Sequence, residues 1–317
     1  MINFGIHRLL RQKGILGMNQ RNTDYIGRFN NRKYYPIVDD KLKTKQRATQ
    51  FHIPTPTLIT SLSTQHEIKY PQKWIEEYKA FAIKPSKGSG GKGILVITEH
   101  DGEIFKKPSG QTLTLFEIQH HLSNILAGLH SLSGNLDTAI IEELIYMDEI
   151  FEGYSHEGIP DIRIIVFQGY PVMAMVRLST HSSDGKANLH QGALGVGVNI
   201  ATGQCIDAIY DNERVTHHPD THKKLSDLQL KNWNELLRLA SGCYEMSNLG
   251  YIGVDLVLDK FKGPMLLELN ARPGLSIQVA NKAGLIPRLQ QVEAFKHTHP
   301  MLETVEQRVK RAQEWFI

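Results

Sequence analysis

The chain has 317 residues, 41% of them hydrophobic and 22% charged, which are the proportions of an ordinary globular protein with length for about two or three domains. It contains no run of about 18 apolar residues, and its two cysteines, Cys205 and Cys243, form no CxxC or metal-type spacing. This excludes a membrane-spanning helix, a disulfide framework and a cysteine zinc site, and a reducing cytoplasm is the expected location.

The net charge of +3 conceals an asymmetry, because residues 1–50 carry eleven Lys/Arg against three Asp/Glu and the remainder is net negative by five. Such a basic segment suits an acidic partner or substrate, but no aromatic-interleaved basic motif accompanies it, so no specific nucleic acid is expected. Ile2, Ile6, Leu9 and Leu10, set among Arg8, Arg11 and Lys13, are too few and too charged for a signal peptide. Asp39-Asp40-Lys41-Leu42 then opens a helix with two acids at its positive end, and Ile53-Pro54-Thr55-Pro56 closes it ahead of a strand over 57–60.

A polar stretch over 64–79 reads as a helix. Strands over 81–85 and 93–98 follow, separated by a glycine-rich turn. An amphipathic helix is predicted over 116–132 and a buried strand over 139–145. Residues 161–168 and 171–178 alternate around Gly169-Tyr170 as a hairpin of an antiparallel sheet. Beyond a region rich in Gly and Asn come a long helix over 226–248 and strands over 252–258 and 265–269. This order gives an α+β fold with two lobes rather than a doubly wound array. The histidines 217, 218 and 222 sit among polar residues and read as a surface loop, and His120-His121 as part of the amphipathic helix.

The first chemistry lies in Lys84-Pro85-Ser86-Lys87-Gly88-Ser89-Gly90-Gly91-Lys92-Gly93. Glycines let backbone N–H groups approach an anion closely and lysines add positive charge, as a polyphosphate requires. The Walker pattern fails, since Ser86 stands where its first glycine belongs and Gly93 where Ser or Thr should follow Gly-Lys. Gly88, Gly90 and Gly93 match GxGxxG, but a strand follows where the dinucleotide fold needs a helix. A phosphate-covering β-hairpin explains both flanks.

A second constellation places acids inside apolar strands, Asp255 in Asp-Leu-Val-Leu and Glu268 in Leu-Leu-Glu-Leu-Asn. Buried carboxylates are costly unless paired or bound to a cation. Glu268 and Asn270, two apart, share one strand face, and Asp255 on the neighbouring strand can join them as oxygen donors to magnesium. The alternative is one salt bridge with Arg272.

Taken in order, Asp40-Lys41-Leu42 with Ile53-Pro54-Thr55-Pro56, Lys84 and its glycine loop, Ile141-Glu142-Glu143-Leu144, Asp161-Ile162-Arg163, Asn188-Leu189-His190-Gln191-Gly192, Gly253-Val254-Asp255 and Glu268-Leu269-Asn270-Ala271-Arg272-Pro273-Gly274 resemble the ATP-grasp superfamily. Within it they are most similar to the alpha-L-glutamate ligases, including the ribosomal-protein glutamate ligase, and to the sugar-transfer-associated ATP-grasp proteins. The resemblance covers 39–287. It implies two α+β lobes gripping ATP, with ATP and magnesium as cofactors, two metal ions, or manganese in their place. It further implies that Lys41 and Lys84 contact the ATP phosphates or the adenine pocket, that Ser86, Gly88, Gly90, Gly91 and Gly93 close over the triphosphate, and that the strand end Glu142, Glu143 and Leu144 serves adenine, with Glu143 or Asp148 holding the ribose. Asp255, Glu268 and Asn270 would ligate the metal, and Arg163, Arg177 and Asn188 would lie near the transferred phosphate or the acyl phosphate.

Two departures stand out. About 40 residues precede the Asp-Lys motif, fewer than a full N-terminal domain of the family, so a short basic segment over 1–56 is expected ahead of a lid lobe over 57–145 and a metal-binding lobe over 146–317. Arg272 stands where the glutamate ligases carry a small residue. The implied reaction joins a carboxylate to an amine, of an amino acid, peptide or amino sugar, through an acyl phosphate. The alternatives are a phosphotransferase acting on an alcohol and a nucleotide-binding module without turnover. The sequence leaves the oligomeric state open.

Overall fold

The computed structural model describes residues 8–10, 12–88, 90–131, 134–183, 185, 187, 189–211, 213–301 and 303–317. The chain divides into two compact units, the larger made of Met1–Asp39, Arg47–Pro54 and Met147–Ile317, the smaller of Asp40–Gln46 and Thr55–Tyr146. Residues 1–56 are divided between the two units. The boundary falls within helix α1 (Lys41–Gln50), whose first turn is held by Asp40, which accepts from the backbone N–H of Leu42 at 3.1 Å.

In the smaller unit, strands β1 (Leu58–Leu62), β2 (Phe81–Pro85), β3 (Leu95–Ile97) and β7 (Ala139–Glu142) form an antiparallel sheet in the order β1-β7-β2-β3. Strands β4 (Glu99–His100), β5 (Ile104–Lys106) and β6 (Thr112–Thr114) make a three-stranded meander. Helix α2 (Leu115–Leu126) starts at a capping box in which Thr114 and Glu117 satisfy each other's backbone N–H groups. Its Ile118, Leu122 and Ile125, at helical spacing, are fully buried against Phe81, Ile83 and Phe105. The helix stops at 126 rather than near 132, because Ala127 is followed by Gly128 in the left-handed region, which leaves the helical path. The predicted helix over 64–79 is broken into Gln65–Lys69 and Gln72–Ile75. Pro71 disfavours a helical Tyr70, and Tyr70 takes ψ 64°.

In the larger unit, β8 (Asp161–Phe167), β9 (Tyr170–Leu178), β10 (Leu194–Val198), β11 (Cys205–Tyr210), β12 (Glu213–Val215), β13 (Tyr251–Asp259) and β14 (Gly263–Asn270) form one antiparallel sheet in the order β12-β11-β10-β9-β8-β13-β14. Helices α3 (Trp233–Ser247), α4 (Ile286–Thr298) and α5 (Val305–Trp315) belong to the same unit. All nine residues of β13 are buried, so its apolar run reads as a central strand. The β8–β9 turn needs Gly169, with φ +88°, because a Cβ there would stand 2.7 Å from Nε of the buried Arg308. Helix α3 begins at 233, later than the predicted 226: Leu225–Asp227 is a 3₁₀ turn and Asn232 is left-handed, a conformation that cannot lie inside an α-helix.

The N-terminal residues are tied to this sheet by specific bonds. Asn30 donates to the carbonyl of Tyr251 at 2.7 Å and accepts from its N–H at 2.8 Å, and Arg21 donates to the carbonyl of Pro273 at 2.7 Å. Among the described residues no helix is long and apolar enough to cross a membrane.

Candidate functional site

In the smaller unit the glycine loop is anchored at its entry. Ser86 donates its hydroxyl to Asp40, its carbonyl accepts from the N–H of Lys41 at 2.9 Å, and the Lys41 ammonium donates to the carbonyl of Gly88. From the other side Asp137 accepts from the N–H of Lys87 at 3.0 and 3.1 Å. Gly90, Gly91 and Gly93 all have positive φ, and a Cβ on Gly93 would meet the ring of His130 at 2.5 Å, so the hairpin requires glycine there.

Beneath this loop, β2 and β7 place Lys84 and Glu142 on neighbouring strands. The Glu142 carboxylate is gripped from both ends, by Lys84 Nζ at 2.7 Å and by Lys45 Nζ at 2.9 Å. Burial, the largest influence on Glu142, would raise its pKa, but the two ammonium groups together outweigh it and hold the carboxyl below the ordinary value. Burial pushes Lys45 down, against the pull of Glu142. The cluster keeps one more positive charge than negative.

In the larger unit, strand register builds a charged row on one sheet face. Arg163 of β8 lies opposite Asp255 of β13, which lies opposite Glu268 of β14, while Asp161 lies opposite Arg177 of β9. Asp255 is fully buried and accepts from Arg163 Nε at 2.7 Å, Arg163 Nη2 at 2.5 Å, Arg177 Nη2 at 2.9 Å and Asn270 Nδ2 at 3.1 Å. Although burial alone would raise it, the two guanidiniums hold Asp255 well below the usual carboxylate range. Asp161, paired with Arg177 only, is pushed up by burial to about 6. Asn270 also stands 3.4 Å from Glu268 Oε1.

Magnesium in nucleotide sites is held by one or two carboxylates together with water and phosphate oxygens. Glu268, half-buried and with no ion pair among the described residues, and Asn270, through Oδ1, offer donors of that kind. Asp255 already carries four hydrogen bonds and offers less. Among the described residues no group of three or more His, Cys, Asp or Glu could hold a metal ion.

The family of sugar-transfer associated ATP-grasp proteins matches the chain over residues 20–294. The chain belongs to this ATP-grasp family. No curated protein matches it. Solved structures similar to it include D-cycloserine synthetase DcsG, at 14% identity over 81% of this chain and 70% of that one with a TM-score of 0.46. Another is the L-amino acid ligase from Bacillus licheniformis, at 14% identity over 78% of this chain and 43% of that one with a TM-score of 0.42. A third is the RimK domain ATP-grasp protein from Sphaerobacter thermophilus, at 14% identity over 82% and 70% with a TM-score of 0.45. The chain thus spans between 43% and 70% of the length of these three.

For this ATP-grasp chain, the expected site residues fall into several groups. Lys41, Lys84, Ser86, Gly88, Gly90, Gly91 and Gly93 lie in the hairpin region of the smaller unit, with Glu142, Glu143 and Leu144 at the end of β7. Glu142 turns its carboxylate to the lysines, and the N–H of Glu143 is bonded to the carbonyl of Thr57 at 3.0 Å. Asp148 belongs to the larger unit, where it caps Glu149–Phe151 and pairs with Lys231 at 3.3 Å. Arg163, Arg177, Asp255, Glu268 and Asn270 come together, whereas Asn188 lies outside the described residues. Among the described residues Arg272 bridges no acid of the row and instead lies over the ring of Tyr35 at 5.8 Å, so the single salt bridge offered as an alternative is not formed there. His218 is buried, not part of a surface loop, with its ring 3.4 Å from the carbonyl of Ser179.

Sequence reasoning missed Lys45, Asp161 and Asp137. For Lys45 a signal existed: it lies four residues after Lys41, on the same helical face.

Proposed function

We propose that the chain is an ATP-dependent carboxylate–amine ligase, forming an amide through an acyl phosphate and releasing ADP and phosphate. The observation that carries this reading is the row on the larger unit's sheet, where two guanidiniums stand beside Glu268 and Asn270. It offers groups for a developing negative charge next to oxygen donors for a cation, without a histidine or serine set for acid–base or nucleophilic work. Family membership supplies the nucleotide.

A carboxylate resists attack by an amine, so its oxygen first takes the γ-phosphoryl group: one P–O bond forms, the bridging P–O bond breaks and ADP leaves. The amine then bonds to the acyl carbon, the C–O bond to phosphate breaks, and the amine proton passes to solvent or to the departing phosphate. In this scheme Lys41, Lys84 and the backbone amides of Gly90, Gly91 and Gly93 bind the polyphosphate. Lys45 acts through Glu142, fixing where Lys84 can point. Arg163 and Arg177 balance charge on the carboxylate and then on the tetrahedral oxyanion. Glu268 and Asn270 are the residues to hold magnesium, which when bound neutralises charge on the phosphate oxygens.

The test incubates the purified chain with ATP, magnesium and pools of carboxylic acids and amines, and separates ADP from AMP. Formation of ADP and phosphate that needs both an acid and an amine is the expected result. AMP with pyrophosphate would sink the reading, and a phosphorylated alcohol without amide would replace it by a phosphotransferase.

A further inference from the structure

A cleft of about 650 Å³ lies wholly within the larger unit, between the N-terminal residues and the end of β14. Its volume is that of a small-molecule site. Three of its lining residues are Arg28, Arg32 and Arg272, none is acidic, and Asn31, Asn248 and Tyr35 add polar groups.

The three guanidiniums differ in how they are held. Arg28 is paired with Glu293 at 3.3 Å, and Arg272 lies over the ring of Tyr35. The Arg32 guanidinium forms no ion pair or hydrogen bond among the described residues, its backbone carbonyl alone accepting from Tyr35. A planar guanidinium matches one carboxylate or phosphate in bidentate fashion, so three around one cleft exceed what a single acid group needs. Position adds to this. Arg272 follows Asn270 by two residues, a separation of no more than about 7 Å along the chain. The cleft therefore begins just past the end of the strand that carries the proposed metal donors, while Arg28 and Arg32 come from the N-terminal stretch. Two further lining residues, Asn22 and Ile26, belong to a π-helical turn, Arg21–Ile26, closed by the N–H of Gly27 bonding to the carbonyl of Asn22. Such turns are rare and concentrate at functional sites.

We propose that this cleft binds the acid co-substrate, and that this is a small molecule with at least two anionic groups. One is the reacting carboxylate near Arg272 and the other a second carboxylate or a phosphate held by Arg28 and Arg32. The identity of the occupant as substrate rests on the ligase reading; anion binding at the cleft does not.

The experiment titrates the full chain by calorimetry, at constant ionic strength, with glutarate, citrate, inorganic phosphate and acetate, with ADP as a control. Saturable binding of glutarate, citrate or phosphate, at least tenfold tighter than acetate, is expected. Glutarate and citrate against phosphate tells which second anion is preferred. Arg32→Gln and Arg28→Gln should each weaken that binding by roughly tenfold or more. Lys33→Gln, a basic neighbour outside the cleft, should leave it unchanged.

Binding that survives both arginine variants would overturn the proposal. So would the absence of any binding preference over acetate. Arg32 has no partner to lose, so its variant should fold even if Arg28→Gln does not. Arginine-dependent anion binding without any ADP formation would leave the cleft standing and remove the ligase reading. Amide formation whose KM for the acid is unmoved by Arg32→Gln would do the reverse.

Discussion

The two buried charge clusters solve the same electrostatic problem in opposite ways. In the smaller unit one carboxylate, Glu142, is shared by two ammonium groups, and in the larger unit one carboxylate, Asp255, is shared by two guanidiniums. The lysine cluster ends there. The arginine cluster continues, with Asp161 behind Arg177 and Glu268 opposite Asp255. Lysine is a point charge whose ammonium can swing to a new anion, whereas a guanidinium locked bidentate on a carboxylate is a fixed part of the scaffold. The first cluster can thus redirect its charge toward an incoming anion, whereas the second presents charge at a set place.

The sharpest way to break this comparison is Asp255→Ala, which strands two buried guanidiniums. We expect a loss of about 3–5 kcal/mol in the stability of the larger unit, seen as lost hydrogen-exchange protection in β8 and β13. Retained protection there would mean that Asp255 is not the keystone of the row. Glu142→Gln should cost the smaller unit somewhat less, roughly 2–3 kcal/mol, because flexible lysine side chains can reach for water.

Glu268→Gln sharpens the division between scaffold and chemistry. As a half-buried side chain without an ion pair among the described residues, it should change stability by less than about 1 kcal/mol while abolishing turnover. Wild-type rates in that variant would take Glu268 out of the metal site.

The smallest effect is in pH dependence, and its sign separates the clusters. Glu142 is depressed, so its contribution is present above the unfolded carboxyl value of 4.5 and fades as the pH falls through its lower folded value. Asp161 is raised from 3.8 to about 6, so the stability linked to it is full below 3.8 and is lost as the pH rises through about 6. Asp161→Asn should accordingly flatten the stability of the larger unit between about pH 4 and 6 and leave the acid response of the smaller unit in place. Equal slopes for variant and parent across that window would show that Asp161 does not titrate there.

Much of this was written in local sequence. Period-two alternation around Gly169-Tyr170 gave the β8–β9 hairpin, the four glycines after Lys84 gave the loop between β2 and β3, and the spacing of Glu268 and Asn270 put them on one face. These features depend only on residues a few positions apart. Tertiary structure alone decided the partners: that Lys45 reaches Glu142, that both Arg163 and Arg177 close on Asp255, that Asn30 and Arg21 tie the basic N-terminal stretch to β13 and the loop after β14, and that Arg272 faces a cleft rather than the acids. Each of these contacts spans from tens to hundreds of residues of chain. Which ones form is set by strand order and burial, where an unpaired charge is expelled and a paired one retained, and no local pattern encodes that choice.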